Sequence, residues 1–104
     1  MDTSIPPREA AERLSRGGML VIDVRDPHEF RAGHIRGAWN IPLHLLQSRL
    51  KDLPRDRQIL CTCNAGNRSG QATRRLNALG FRAVLLDGGL LRWAANGYPL
   101  DIGD

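Results

Sequence analysis

Two nearly unbroken apolar runs, Met19-Leu20-Val21-Ile22 and Ala83-Val84-Leu85-Leu86, constrain this chain more than any other feature. Such runs are strand-sized, and without polar alternation they fit strands buried on both faces, as in a parallel sheet. Parallel neighbours need a crossover between them, and helical stripes stand where crossovers are required. Ser4 is placed to cap a helix that starts at Pro6 or Pro7 and runs through Arg8 to Arg16, where Gly17-Gly18 stop it. Met19 to Val24 then reads as a strand. Ala38 to Ile41 is a second, ended by Pro42. Leu43, Leu46, Leu50 and Leu53 recur at helical spacing up to Pro54. Gln58 to Thr62 is a strand, Ala72, Leu76 and Leu79 mark a helix ending at Gly80, and Phe81 to Leu86 is a strand again. Leu90 to Asn96 makes a last short helix. Strands alternating with helices predict an α/β domain, a parallel sheet covered on both faces.

Size and charge narrow the classes. At 104 residues the chain fits one domain with one real core, and we read residues 1–104 as a single domain. A hydrophobic content of 41% excludes disorder, and no run approaches the roughly 20 apolar residues of a membrane span. The net charge is +4, and Lys51 is the only lysine among the basic residues. The arginines are scattered from Arg8 to Arg92 with acids between them, which argues against a nucleic-acid stripe and suits a small anionic substrate. The N-terminus carries neither a basic nor an apolar signal region, and two cysteines one residue apart make no disulfide framework. The expected setting is reducing and cytoplasmic.

The chemistry is concentrated in Cys61-Thr62-Cys63-Asn64-Ala65-Gly66-Asn67-Arg68-Ser69-Gly70. A strand ends at Cys63, a glycine-containing loop follows, and a helix begins near Arg68. That arrangement aims backbone N–H groups and the positive end of a helix dipole at one point. A sulfur placed there is favoured as thiolate and needs no metal. Gly66 permits the tight turn, and Arg68 brings a permanent positive charge and a planar donor fork to the rim. Cys61 lies within the apolar strand, so burial is its expected fate.

This loop resembles the active-site loop of rhodanese-domain sulfurtransferases, whose Cys-x-x-Gly-x-Arg pattern falls on Cys63, Gly66 and Arg68. Three further segments are similar to that family: Val21 to Asp26 continuing through Glu29-Phe30, Gly33 to Pro42, and Leu86-Asp87-Gly88-Gly89 with Trp93, Gly97 and Pro99. The resemblance covers nearly the whole chain. It implies a three-layer fold, a five-stranded parallel sheet flanked by helices on both faces. It also implies a Cys63 persulfide, formed from thiosulfate or another persulfide donor and passed to cyanide, a thiol or a protein acceptor. The persulfide would sit among the N–H groups of Asn64, Ala65, Gly66, Asn67 and Arg68. Related phosphatases and arsenate reductases carry a longer Cys-x5-Arg loop, whereas Cys63 to Arg68 is Cys-x4-Arg. The loop departs from members that use thiosulfate well in having uncharged Asn64, Ala65 and Asn67. Cys61-Thr62 stands where an aromatic residue often precedes the nucleophile.

Asp23 and Arg25 fall at the carboxyl end of the neighbouring strand. They either shape the rim and support the loop or form an ion pair tying the strand to its surroundings through Glu29, and we favour the ion pair. His28, His34 and His44 are read as surface or turn residues, Trp39 and Trp93 as core or core-edge. No metal-ligand spacing is present, and no cofactor or membrane partner is expected. Such a domain would act as a monomer or weak homodimer. The alternative in another class is a persulfide carrier or regulatory interaction module without small-donor turnover.

Overall fold

A computed structural model describes residues 3–104. Its five strands form one sheet, every pairing parallel. In chain order the elements are β1 (Ser4–Ile5), α1 (Pro7–Ser15), β2 (Met19–Asp23), α2 (Pro27–Ala32), β3 (Trp39–Asn40), α3 (Leu46–Arg49), β4 (Gln58–Thr62), α4 (Asn67–Ala78), β5 (Arg82–Leu86) and α5 (Gly89–Ala95). The strand order is β1-β5-β4-β2-β3.

The three central strands, β5, β4 and β2, are covered on both faces, and the two-residue period of the chain sorts their side chains. Leu20, Ile22 and Val24 after β2, with Ile59, Cys61 and Cys63 along β4, pack against Leu46 of α3 and Ala72 and Leu76 of α4. Met19 and Val21, with Leu60, Val84 and Leu86, pack against Ala10 of α1 and Leu90 and Trp93 of α5. The apolar runs therefore contain both faces at once, which is why they lack alternation.

Three sequence expectations are corrected. Ser4 does not cap α1. It belongs to β1, pairing with Leu85, and Pro6 occupies the cap position with an extended backbone. The leucine stripe from Leu43 to Leu53 is not one helix but a 3-10 turn (Leu43–Leu45), α3 and a second 3-10 turn (Leu50–Asp52). The Leu43 amide is held by the Val24 carbonyl at 3.0 Å and the Leu45 amide by that of Pro42, so the segment starts tethered to the end of β2 in the tighter repeat. Trp39 stands on the edge strand and is 42% exposed, whereas Trp93 is buried and donates to the Pro99 carbonyl at 2.9 Å.

The topology places the site. From β2 the chain moves to β3 at one edge, and from β4 it moves the other way to β5. The switch lies between β2 and β4, whose carboxyl ends stand side by side with Asp23 paired to Thr62. Ligands in open parallel sheets bind in that crevice. No described helix is long and apolar enough to cross a membrane.

Candidate active site

Cys63 follows β4 directly, and its sulfur is met by three donor-capable groups. The Gly66 and Ser69 amides each lie 3.2 Å from Sγ, and the Ser69 hydroxyl lies 3.0 Å away. Gly66, at φ 114°, turns the chain left-handed into α4, a conformation that favours glycine. The helix then begins at once, with the Gly70 amide bonded to the Gly66 carbonyl at 2.8 Å. These groups stabilise negative charge on sulfur by direct donation, reinforced by the α4 dipole.

The other side of the loop is pinned by α5. The Leu90 amide donates to the Cys63 carbonyl at 2.8 Å and the Leu91 amide to the Asn64 carbonyl at 3.0 Å. These two bonds fix the Cys63–Asn64 backbone against α5. Gly89 makes this close approach feasible: a Cβ there would lie 2.3 Å from the Asn64 oxygen.

A second, charged layer supports the first loop residue. Arg25 pairs with Asp23 at 2.7 Å and donates to the Gly33 carbonyl at 2.6 Å and to Asn64 Oδ1 at 3.1 Å. Asn64 in turn donates to Glu29 at 3.1 Å, and Glu29 takes both arms of the Arg68 fork at 2.8 and 3.0 Å. Hydrogen bonding from Arg68, aided by the Asp26 amide and the charge of Arg25, holds the Glu29 carboxyl down at about 2. Arg68 is raised for the same reason.

The sequence-predicted residues therefore converge, with changed roles. Asp23 and Arg25 form the expected ion pair, and Arg25 reaches the loop as well. Glu29 belongs to Arg68 and Asn64 rather than to the Asp23–Arg25 pair. Arg68 does not present a free fork at the rim, because both arms are spent on Glu29. Of the amides from Asn64 to Arg68, only that of Gly66 reaches the resting sulfur. Ser69, which supplies two of the three contacts, was not singled out from sequence; its position six residues after Cys63 on the first turn of α4 was the available signal. Cys61 is fully buried, and burial pushes its thiol up to about 12. His28 and His44 are exposed, while His34 is buried, stacked on Phe30 at 3.7 Å, with Nδ1 against the Phe30 carbonyl.

A groove of about 400 Å³ opens beside this network, lined by Val24, Asp26, Leu43, His44, Arg68 and Arg75. A larger cleft of about 480 Å³ lies on the opposite flank of α4, between it and β1, and contains neither Cys63 nor any loop residue from 64 to 68.

These features define a class: a parallel α/β domain that seats a cysteine sulfur in a ring of donors at a strand–helix junction. The chain belongs to the rhodanese-like domain family, whose model matches residues 6–96. A sulfurtransferase of Allochromatium vinosum is 39% identical over 83 residues, 79% of this chain and 78% of that protein. The thiosulfate sulfurtransferase GlpE of Pseudomonas putida is 38% identical over 98 residues, 93% of this chain and 88% of its own. The crystal structure of a rhodanese-related protein from Thermoplasma volcanium superposes with a TM-score of 0.90 at 35% identity, covering 95% of this chain and 97% of that one.

Proposed function

We propose that this protein is a sulfurtransferase that carries a sulfane sulfur as a persulfide on Cys63. The observation that carries the reading is the Cys63 sulfur itself, held by two amides and a hydroxyl at the topological switch point. The thiolate attacks the outer sulfur of a donor such as thiosulfate. A sulfur–sulfur bond forms, the donor's own breaks, and sulfite leaves with the electron pair. The acceptor then attacks the outer sulfur of the persulfide. Cyanide leaves as thiocyanate or a thiol as a new persulfide, and the pair returns to Cys63. Cys63 is only 1% exposed, so a slim terminal sulfur reaches Sγ where a bulkier centre is obstructed.

Charge at the mouth favours a second reading, a persulfide carrier loaded by a partner. Arg25, Arg68 and Arg92 are each engaged by a carboxylate, those of Asp23, Glu29 and Asp87, which leaves Arg75 as the groove arginine outside these pairs. Asn64, Ala65 and Asn67 add no charge. The loop amides then have one negative charge to hold, which suits a persulfide monoanion better than a dianion.

Steady-state turnover with thiosulfate and cyanide, measured beside turnover with a small alkyl persulfide, separates the two. Parallel double-reciprocal lines with thiosulfate, lost in Cys63→Ser, support the enzyme reading. Turnover with the alkyl persulfide alone keeps the enzyme reading with a persulfide as its donor. No turnover with either, together with one sulfur gained by Cys63 from a persulfidated protein, supports the carrier. No sulfur on Cys63 from any of the three overturns sulfur transfer.

A further inference from the structure

We propose that the Ser69 hydroxyl is a catalytic donor to the Cys63 sulfur, acting chiefly when that sulfur becomes the leaving group; this rests on the persulfide reading above. Ser69 is fully buried on the first turn of α4. Its Oγ lies 3.0 Å from Cys63 Sγ and has no other hydrogen-bond partner among the described residues. An anionic sulfur has no proton to give, so in that state the hydroxyl is the donor. Its place is fixed: the Ser69 amide donates to the same sulfur at 3.2 Å, and its carbonyl accepts from the Thr73 hydroxyl at 2.7 Å.

The two halves of the reaction use this donor unequally. In the first, the Sγ electron pair forms the new sulfur–sulfur bond and sulfite departs with its own pair. Donation to Sγ then favours the thiolate but tempers its attack. In the persulfide the charge sits on the outer sulfur. When an acceptor attacks that outer atom, the sulfur–sulfur bond breaks and the pair returns to Sγ, the atom on which the hydroxyl is trained. Stabilisation there is gained as charge develops, the condition for lowering a barrier.

The test separates the halves. Wild type, Ser69→Ala and Ser69→Thr are loaded with thiosulfate or, if that fails, a small alkyl persulfide, then mixed with cyanide in single turnover. Ser69→Ala is expected to load one sulfur and melt like wild type. Its transfer at saturating cyanide should fall about tenfold, less than the roughly hundredfold or more of a lost oxyanion-hole donor because sulfur accepts more weakly than oxygen, with the half-saturating cyanide concentration unchanged. Ser69→Thr, which keeps the hydroxyl, should recover most of the rate. Transfer by Ser69→Ala within twofold of wild type overturns the proposal, as does equal loss in both variants, which would mean packing alone. A further arm needs no sulfur transfer: the ultraviolet thiolate band should move to longer wavelength in Ser69→Ala, which takes a donor from the sulfur lone pair, and return in Ser69→Thr, and no movement overturns the assignment. Cys61, pushed up to about 12, stays out of that band near neutrality. If wild type loads from neither small donor, the enzyme reading fails, while this arm still decides whether the hydroxyl serves the sulfur.

Discussion

Cys61 and Cys63 sit on the same strand path, face the same helix and are both buried, yet their surroundings differ completely. Inside β4, the amide and carbonyl groups around Cys61 are spent on the neighbouring strands, and its thiol meets a dry core that raises it to about 12. One pleat further on, the ladder has ended. The backbone turns through Gly66, and amides that would have paired with a strand converge on sulfur instead. Neither residue type nor exposure separates these cysteines. What separates them is whether the local backbone has donors left to give.

Removing the favoured sulfur should have the largest effect: Cys63→Ser abolishes sulfur loading and turnover, read by intact mass and by thiocyanate formation. Next comes the support of the loop. Gly89→Ala places a Cβ 2.3 Å from the Asn64 oxygen at a φ of +63°, so Asn64 must shift and its Arg25 and Glu29 contacts with it. A loss of about 2 kcal/mol in stability and at least about tenfold in turnover is expected, seen in a melt and an assay on the same sample.

Glu29→Gln probes the charged layer. In wild type, the carboxyl held down at about 2 lends stability that is fully present above its ordinary value of 4.5 and is lost as pH falls from there through 2. The variant should be less stable by about 1 kcal/mol at neutral pH, since Arg68 is part-exposed and solvent screens the pair. Its denaturant midpoint should vary less between pH 5 and pH 2 than that of wild type. A wild-type midpoint that does not fall across that range would contradict the network. The smallest effect belongs to the other cysteine. Cys61→Ala should cost about 1 kcal/mol in stability and leave sulfur loading within twofold of wild type.

What the sequence showed and hid follows from the range of the interactions involved. The Cys63 loop was legible because strand end, glycine and helix start lie within ten residues of one another. The buried strands were legible because an apolar run of three or four residues suffices to mark them. β1 was not, because Ser4–Ile5 has no pattern of its own and is a strand only through β5, 81 residues away. α2 was missed because it buries only Phe30, although Asp26 and Glu29 spell a capping box. The pairing of Glu29 with Arg68 spans 39 positions, and nothing local chooses Arg68 over Arg25 as its partner. The role of Ser69 needed the first turn of α4 folded back over the sulfur.

The contrast between the two cysteines is tested most directly by intact mass and peptide mapping after anaerobic incubation of native protein with thiosulfate or a small alkyl persulfide. Wild type and Cys61→Ser should each gain one sulfur atom, mapped to Cys63 in wild type and removed by cyanide, and Cys63→Ser should gain none. Sulfur found on Cys61, or a Cys61→Ser protein unable to load, would contradict the account.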